Sequence, residues 1–275
     1  VEVTSDNTHA GGIIGISGGE AEIKNTTFSG RLSVNGANSS GAIIGNANGK
    51  VTVDRITFDS DVTVTATSAN VHAGGIVGYA NGKADINNII FKGRLAVSGD
   101  NSSAGIIGNT NANVTVKHAS FGSDVTVTSK NDHAAGVLGI TNNHEADIEN
   151  VTFSGKLIIY GNKSSGGILG STGSKLKLYN ISIGGGSTIA SVNGDAGGVV
   201  GIAQSYDADI QNIKFIGKDT KDTEDTEDTE VIANQNAGGL CGVLTENNKL
   251  TISNVAVSAF IQAEQNAGGL IGRLK

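Results

Sequence analysis

Proline, methionine and tryptophan are absent from this 275-residue chain, cysteine occurs once, and aromatic residues make up only 4% of it. A single Cys241 excludes an intrachain disulfide, so no cystine framework can hold the fold. Without methionine the sequence has no start residue of its own, and it reads as a processed or excerpted piece of a longer chain. No basic start leads into an apolar stretch, and no apolar run approaches the ~20 residues of a membrane-spanning helix, so neither a signal peptide nor membrane insertion is read here. Cations are scarce: 19 Lys and Arg against 26 Asp and Glu leave a net charge of −7, which argues against nucleic acid as a partner. The four tyrosines, Tyr79, Tyr160, Tyr179 and Tyr206, fall at unrelated repeat positions, so no stacking platform for sugars or bases is expected.

What the chain does have is glycine, 41 residues of it, organised into words. The pattern small-Gly-Gly-apolar-apolar-Gly recurs at residues 10–15, 40–45, 73–78, 103–108, 134–139, 165–170, 196–201, 237–242 and 267–272, with one inner Gly relaxed to Ala at Ala42, Ala104 and Ala135. Final glycines lie 30 to 33 residues apart, except for 41 between Gly201 and Gly242. A fixed period of this size marks a repeat architecture in which each unit buries its apolar face against its neighbours. Between the words, Ala21/Ile23 and Leu32/Val34 alternate with period two, as a strand with one buried face does. No window carries a helical stripe. Each unit is therefore read as about three short strands, one coil of a right-handed parallel β-solenoid (β-helix) of about 31 residues per coil, with residues 1–275 forming one domain.

Three columns give the coil its detail. The last word position is always Gly, where stacked backbones bend or approach closely. The two apolar word positions before it (Ile13-Ile14, Val137-Leu138, Leu240-Cys241) cannot both enter one core from a plain strand. Either a bulge or bend re-aims one of them, or that face is covered. Asn25, Asn88, Asn150, Asn180, Asn212 and Asn254 mark a phase break read as a corner, with Arg55 and His118 interrupting the amide ladder. Phe28, Phe58, Phe91, Phe121, Phe153 and Phe215, with Ile183 and Val257, read as a stacked core row.

A two-coil super-repeat overlies this. One column reads Arg31, Asp61, Arg94, Asp124, Lys156, so that opposite charges face each other about 4.8 Å apart across adjacent coils. Such exposed pairs contribute about 0.2–1 kcal/mol each, and their value is read as register. Residues 218–230 (KDTKDTEDTEDTE) account for the long interval and read as an acidic low-complexity loop insertion. They lack the glycine turn and ligand spacing of a calcium loop.

Candidate chemistry is weak throughout. His144-Glu145 lacks the second histidine of a zinc-protease helix, since Ile148 stands there. Ser17 within G-x-S-x-G precedes no helix. Asp59 and Asp61 could resemble the acid pair of a polysaccharide-cleaving β-helix, but Asp61 already belongs to the charge column. His9, His72 and His133 precede alternate words, roughly 9.6 Å apart, too far to share one metal, and read as corner residues. Threonines alternate outward in Val62-Thr63-Val64-Thr65 and Val125-Thr126-Val127-Thr128, a pattern that ice-binding surfaces use, but intervening coils carry Ser33, Ala96 and Ile158. Seven glycosylation sequons occur, at Asn25, Asn38, Asn101, Asn113, Asn150, Asn162 and Asn180; Asn38, Asn101 and Asn162, in the Ser-Ser turns, are read as the accessible ones.

The words at residues 73–78 (AGGIVG) and 267–272 (AGGLIG) resemble the GLUG motif, and the resemblance spans nearly the whole chain. That family is found in bacterial surface proteins, beside the catalytic domain of immunoglobulin A proteases, and in protist surface proteins. It implies an extracellular or cell-surface solenoid, a stalk, adhesin or filament component, whose repeats hold no catalytic, cofactor-binding or metal residue. Partners implied are neighbouring solenoid segments or subunits end to end, and a host or matrix surface. A polysaccharide-degrading enzyme and an ice-binding surface are the alternative readings.

Overall fold

The computed structural model describes residues 1–69, 71–204, 207–216, 228–245 and 249–275. Every regular element among them is a strand, and every strand pairing is parallel, to the preceding and following coil. The chain thus winds as a single β-solenoid with four strands per coil, not three. The first sheet runs from Glu2–Ser5 through Leu32–Gly36 to Phe260–Ala263, nine strands in coil order. The second, of two- and three-residue strands, runs from Ala10–Gly11 to Asn266–Gly268, and the third from Ile14–Ser17 to Ile271–Leu274. The fourth holds eight longer strands, Ala21–Phe28 to Lys249–Ser258.

The extra strand comes from the glycine word, which is bent in its middle. In the second copy, Ser40–Gly41 belongs to the second sheet and Ile44–Ala47 to the third. The bend between them lets Ile43 and Ile44 both reach the core, each with no exposed surface. Its hydrogen bonding is unusual for a ladder: the amides of Ile43 and Ile44 both donate to the carbonyl of Ile76, each at 3.0 Å. The same two-into-one convergence recurs from Ile13/Ile14 onto Ile43 up to Leu240/Cys241 onto Leu270. Of the two arrangements the sequence left open, the bend is the one adopted.

Glycine is required at the bend for space and not for a left-handed backbone. A Cβ on Gly78 would lie 2.6 Å from the carbonyl oxygens of Gly45 and Ser40, and one on Gly45 the same distance from those of Ala10 and Gly15. No real Cβ comes so near a fixed backbone oxygen.

The left-handed positions lie elsewhere. Asn25, Arg55, Asn88, His118, Asn150, Asn180, Asn212 and Asn254 all sit at φ 52–57°, inside the strands of the fourth sheet. Before the corner, alternate residues point inward; after it the alternation restarts one residue later, as in Val51, Val53, then Ile56 and Phe58. The amide ladder runs in pieces. Asn180 Nδ2 donates to Asn150 Oδ1 at 2.7 Å and Asn254 to Asn212 at 3.0 Å, whereas Asn88 turns aside to Asp54 Oδ1 at 2.8 Å. Arg55 substitutes its guanidinium, donating to Asn25 Oδ1 at 2.5 Å.

The phenylalanine row stacks as the column predicts. Ring centroids from Phe28 to Phe153 are 4.9, 4.6, 5.2 and 4.3 Å apart, with interplanar angles of 2–12°. Offset ring pairs add about 0.5–1.5 kcal/mol beyond burial. The charge column is also in register: Leu95 pairs with Val62 and Val125, which places Arg94 beside Asp61 and Asp124. Each aspartate does more than face a cation. Asp61 Oδ1 accepts the backbone N–H of Arg94 at 2.9 Å, and Asp124 that of Lys156 at 2.9 Å, so both carboxylates close the turn of the next coil.

The insertion leaves the stack undisturbed. Residues 217–227, with Asp222, Glu224, Asp225 and Glu227, lie outside the described residues. By Thr229 and Glu230 the chain is back in place, with Thr188 paired to Glu230 and Ala196 to Ala237.

Two substitutions test these assignments. Gly78→Ala is expected to lower the urea-unfolding free energy by about 3 kcal/mol or to abolish folding, while Gly18→Ala, with open space around it, changes it by less than about 0.5 kcal/mol. Equal effects would show that close approach is not what the word encodes. At the corner, His118→Asn puts a residue that tolerates the left-handed backbone at a site where His118 is strained, and is expected to raise stability by about 0.5–1 kcal/mol, read from the same urea transition.

Candidate functional site

The bend in each word brings two outward columns together. One is the residue just before the word: His9, Ser39, His72, Ser102, His133, Ser164, in register through Ser102 with His72 and His133. The other is the outward position of the third sheet: Asn46, Tyr79 and Asn109 side by side, then Ile140. Where His9, Ser39 and His72 meet Asn46, Tyr79 and Asn109 across the bend, they line with Asn142 a shallow groove of about 350 Å³ that runs along the solenoid axis; Ser102, His133, Ser164 and Ile140 stay outside it.

Hydrogen bonding fixes the tautomers. The Ser39 amide donates to His9 Nδ1 at 3.1 Å, so Nε2 carries the ring hydrogen; Asn46 Nδ2 lies 3.2 Å from it and Asn46 Oδ1 is buried without a partner among the described residues, which a flip of that amide resolves by turning the oxygen to Nε2. Burial holds His9 below the usual imidazole range, which keeps it neutral. In the next rung, Asn142 Nδ2 donates to Asn109 Oδ1 at 3.1 Å, leaving the Asn109 amino group to face His72 Nε2 at 3.1 Å. His72 is then the Nδ1–H tautomer, and that nitrogen is buried with no hydrogen-bond partner among the described residues. Burial lowers His72 from 6.5 to about 4, opposed only by the field of Asp132. Its ring stacks on Tyr79 at 5.5 Å and 19°, and the Tyr79 hydroxyl accepts from Asn111 Nδ2 at 2.5 Å.

One rung further, the structure assembles a serine, a histidine and an aspartate. His133 Nδ1 lies 2.6 Å from Ser164 Oγ, and Nε2 lies 3.0 Å from Asp132 Oδ1. The three residue types are those of a hydrolase triad, but the ring nitrogens are exchanged, since there the serine meets Nε2 and the aspartate Nδ1. The chemistry does not follow from them. Ser164 has no exposed surface, and its Oγ also donates to the Gly170 carbonyl at 2.8 Å, so no scissile bond can approach it. Lys163 sits 3.2 Å from the same Asp132 oxygen. Burial lowers His133, with Asp132 pulling the other way. The cluster is a buried polar clasp between coils. Its sequence signal was available: histidine and serine alternate immediately before the first six words, and stacking puts one on the other.

Other candidates fall apart on inspection of their partners. Lys92 Nζ lies 2.8 Å from Asp59 Oδ1, and the Arg94 backbone amide and guanidinium hold Asp61 below the usual carboxylate range. Ser17 donates to the Gly19 carbonyl at 2.9 Å, and His144-Glu145 lead into the strand Ala146–Phe153, not a helix. Cys241 is fully buried and its thiol is pushed up to about 12, which makes it inert at neutral pH. Among the described residues no cluster of three His, Cys, Asp or Glu is placed to hold a metal. The outward columns of the first sheet read Thr63, Ala96, Thr126, Ile158, Thr188 and Thr65, Ser98, Thr128, Tyr160, Ala190, so the threonine array is interrupted in register. The sequon expectation needs correction: Asn38, Asn101 and Asn162 are half-buried because the Ser-Ser turns stack on one another too, whereas Asn25, Asn113 and Asn180 are exposed. Tyr206 lies outside the described residues.

Compared with protein-family models, curated proteins and solved structures, the chain matches none.

Acid should weaken the rod through His72. Above pH 6.5 neither state binds the proton. Between 6.5 and about 4 the unfolded chain is protonated and the folded one is not, so stability falls with pH, by up to ~3 kcal/mol. Below 4 both are protonated and the loss stops. His72→Gln is expected to flatten the urea midpoint across that window, with a residual slope from His9 and His133. An unchanged slope would assign the acid sensitivity elsewhere.

Proposed function

We propose that this chain is a non-catalytic solenoid scaffold of an extracellular or cell-surface protein, acting as a stalk, adhesin or filament segment. The observation that carries the reading is where the outward polar groups go. They link coil to coil: the Asn180–Asn150 and Asn193–Asn162 amide pairs, the Asp61 and Asp124 turn caps, and the crosswise pairing of Lys117 and Lys177 with Asp147 and Glu149. Side chains used in this way stiffen a rod. The likeness of the words to the GLUG motif supports the same reading and the extracellular setting. Neighbouring solenoid segments or subunits pairing end to end, and a host or matrix surface, are the partners proposed.

The carboxylates that a polysaccharide-cleaving reading would use, Asp59 and Asp61, are each engaged by a cation of the next coil. Polygalacturonate incubated with the chain is therefore expected to release no reducing ends above a blank. Stretched singly, the chain is expected to unravel in steps of about 100 Å, one coil at a time. Cleavage that disappears in Asp59→Asn or Asp61→Asn would overturn the scaffold reading.

A further inference from the structure

The side chains of the groove also bond from coil to coil, and beyond that its chemistry is specific. No charged side chain lines it. Burial lowers both of its histidines, so it presents no fixed charge to attract an anion or a cation. The third-sheet strand on its wall is already paired on both sides, Tyr79 with Asn46 and with Asn109, so an extended peptide finds no free ladder to join. What remains are side-chain donors and acceptors with fixed directions. Because the Tyr79 oxygen accepts from Asn111, its own hydrogen is left to donate. Asn142 spends its amino group on Asn109 and Asn111, at 3.1 and 2.7 Å, and no described residue engages its carbonyl oxygen. Asn142 is exposed and Tyr79 and Asn111 are half-exposed, within reach of a ligand.

A preset O–H donor and a preset amide acceptor, neutral surroundings, a flat ring, and polar side chains on successive coils about 4.8 Å apart along one line suit a chain of hydroxyl-bearing rings. We propose that this groove binds a neutral glycan laid along the solenoid axis, with Tyr79 donating to its hydroxyls and Asn142 accepting from them. The proposal rests on the adhesin form of the scaffold reading and gives that surface its ligand class.

The test uses the intact chain, isotope-labelled, titrated in the magnet with cellotetraose, maltotetraose, chitotetraose and mannotetraose, and separately with tetragalacturonate. At least one neutral tetrasaccharide is expected to shift the signals of Tyr79, Asn111 and Asn142 saturably. Tyr79→Phe, which keeps the ring against His72, and Asn142→Ala are each expected to weaken binding about tenfold, while Thr63→Ala on the first sheet leaves it unchanged. Thermal melts of each variant confirm that the rod is intact. No shift with any neutral probe, equal binding of tetragalacturonate, or binding that ignores both groove variants overturns the proposal. Release of reducing ends from a bound probe would instead overturn the scaffold reading and leave the groove assignment standing.

Discussion

Everything in this rod depends on two backbones approaching closer than a side chain allows. At the last position of each glycine word the chain lies against carbonyl oxygens of the preceding coil, 2.6 Å from where a Cβ on Gly78 would be. That approach makes the bend, and the bend lets two consecutive apolar residues enter the core. Without it the pattern Ile-Ile, Val-Leu or Leu-Cys would expose one member of each pair in every coil. The hydrophobic core is therefore a consequence of the glycine column as much as of the apolar residues in it. Because each coil touches only its neighbours, the same local solution is repeated and the contributions accumulate along the stack.

A second constraint works at the opposite corner and uses a different property of the backbone. There the chain needs a positive φ, which costs about 1–2 kcal/mol for an ordinary L residue. Asparagine reduces that cost, and its amide adds an axial hydrogen bond where two asparagines meet, as at Asn150 and Asn180. Arg55 and His118 adopt the same angle without being asparagine. The corner geometry is thus imposed by the stack, and asparagine follows from the geometry.

Much of this was legible in the residues. The period, the phenylalanine row, the asparagine corner and the charge column each needed only stacking of equivalent positions. The strand count was not legible, because a six-residue word with two adjacent apolar positions fits one bulged strand as well as two strands joined by a bend. Nor was the groove. Its parts, His72, Tyr79, Asn109 and Asn142, lie on three strands and the turn after a fourth, in three coils, and nothing in their spacing states that the word folds back between them. The buried Asp132, His133 and Ser164 contact was hidden for the same reason, although the alternation of histidine and serine before the first six words held the clue. The accessible sequons were not legible either: Asn38, Asn101 and Asn162 lie in turns, and a turn that is open in one coil is covered when the turns of the neighbouring coils stack on it.

The groove and the glycine column have one origin. A solenoid turns convex corners toward solvent wherever it closes around its core, and side chains splay apart there. Where the chain folds back on itself in the word, outward side chains from successive strands converge, and the close backbone approach just past that bend needs a position without a Cβ. The glycine word therefore places the concave line that recurs in this rod, and it does so once per coil, at a fixed rise. What fills that line is free to vary, because no core contact depends on it: polar rings and amides from His9 to Asn142, then Ile202 and Val243 further along. A scaffold specified by its words and a lining left open to change is an arrangement in which binding specificity can differ between segments of one rod while the fold stays the same.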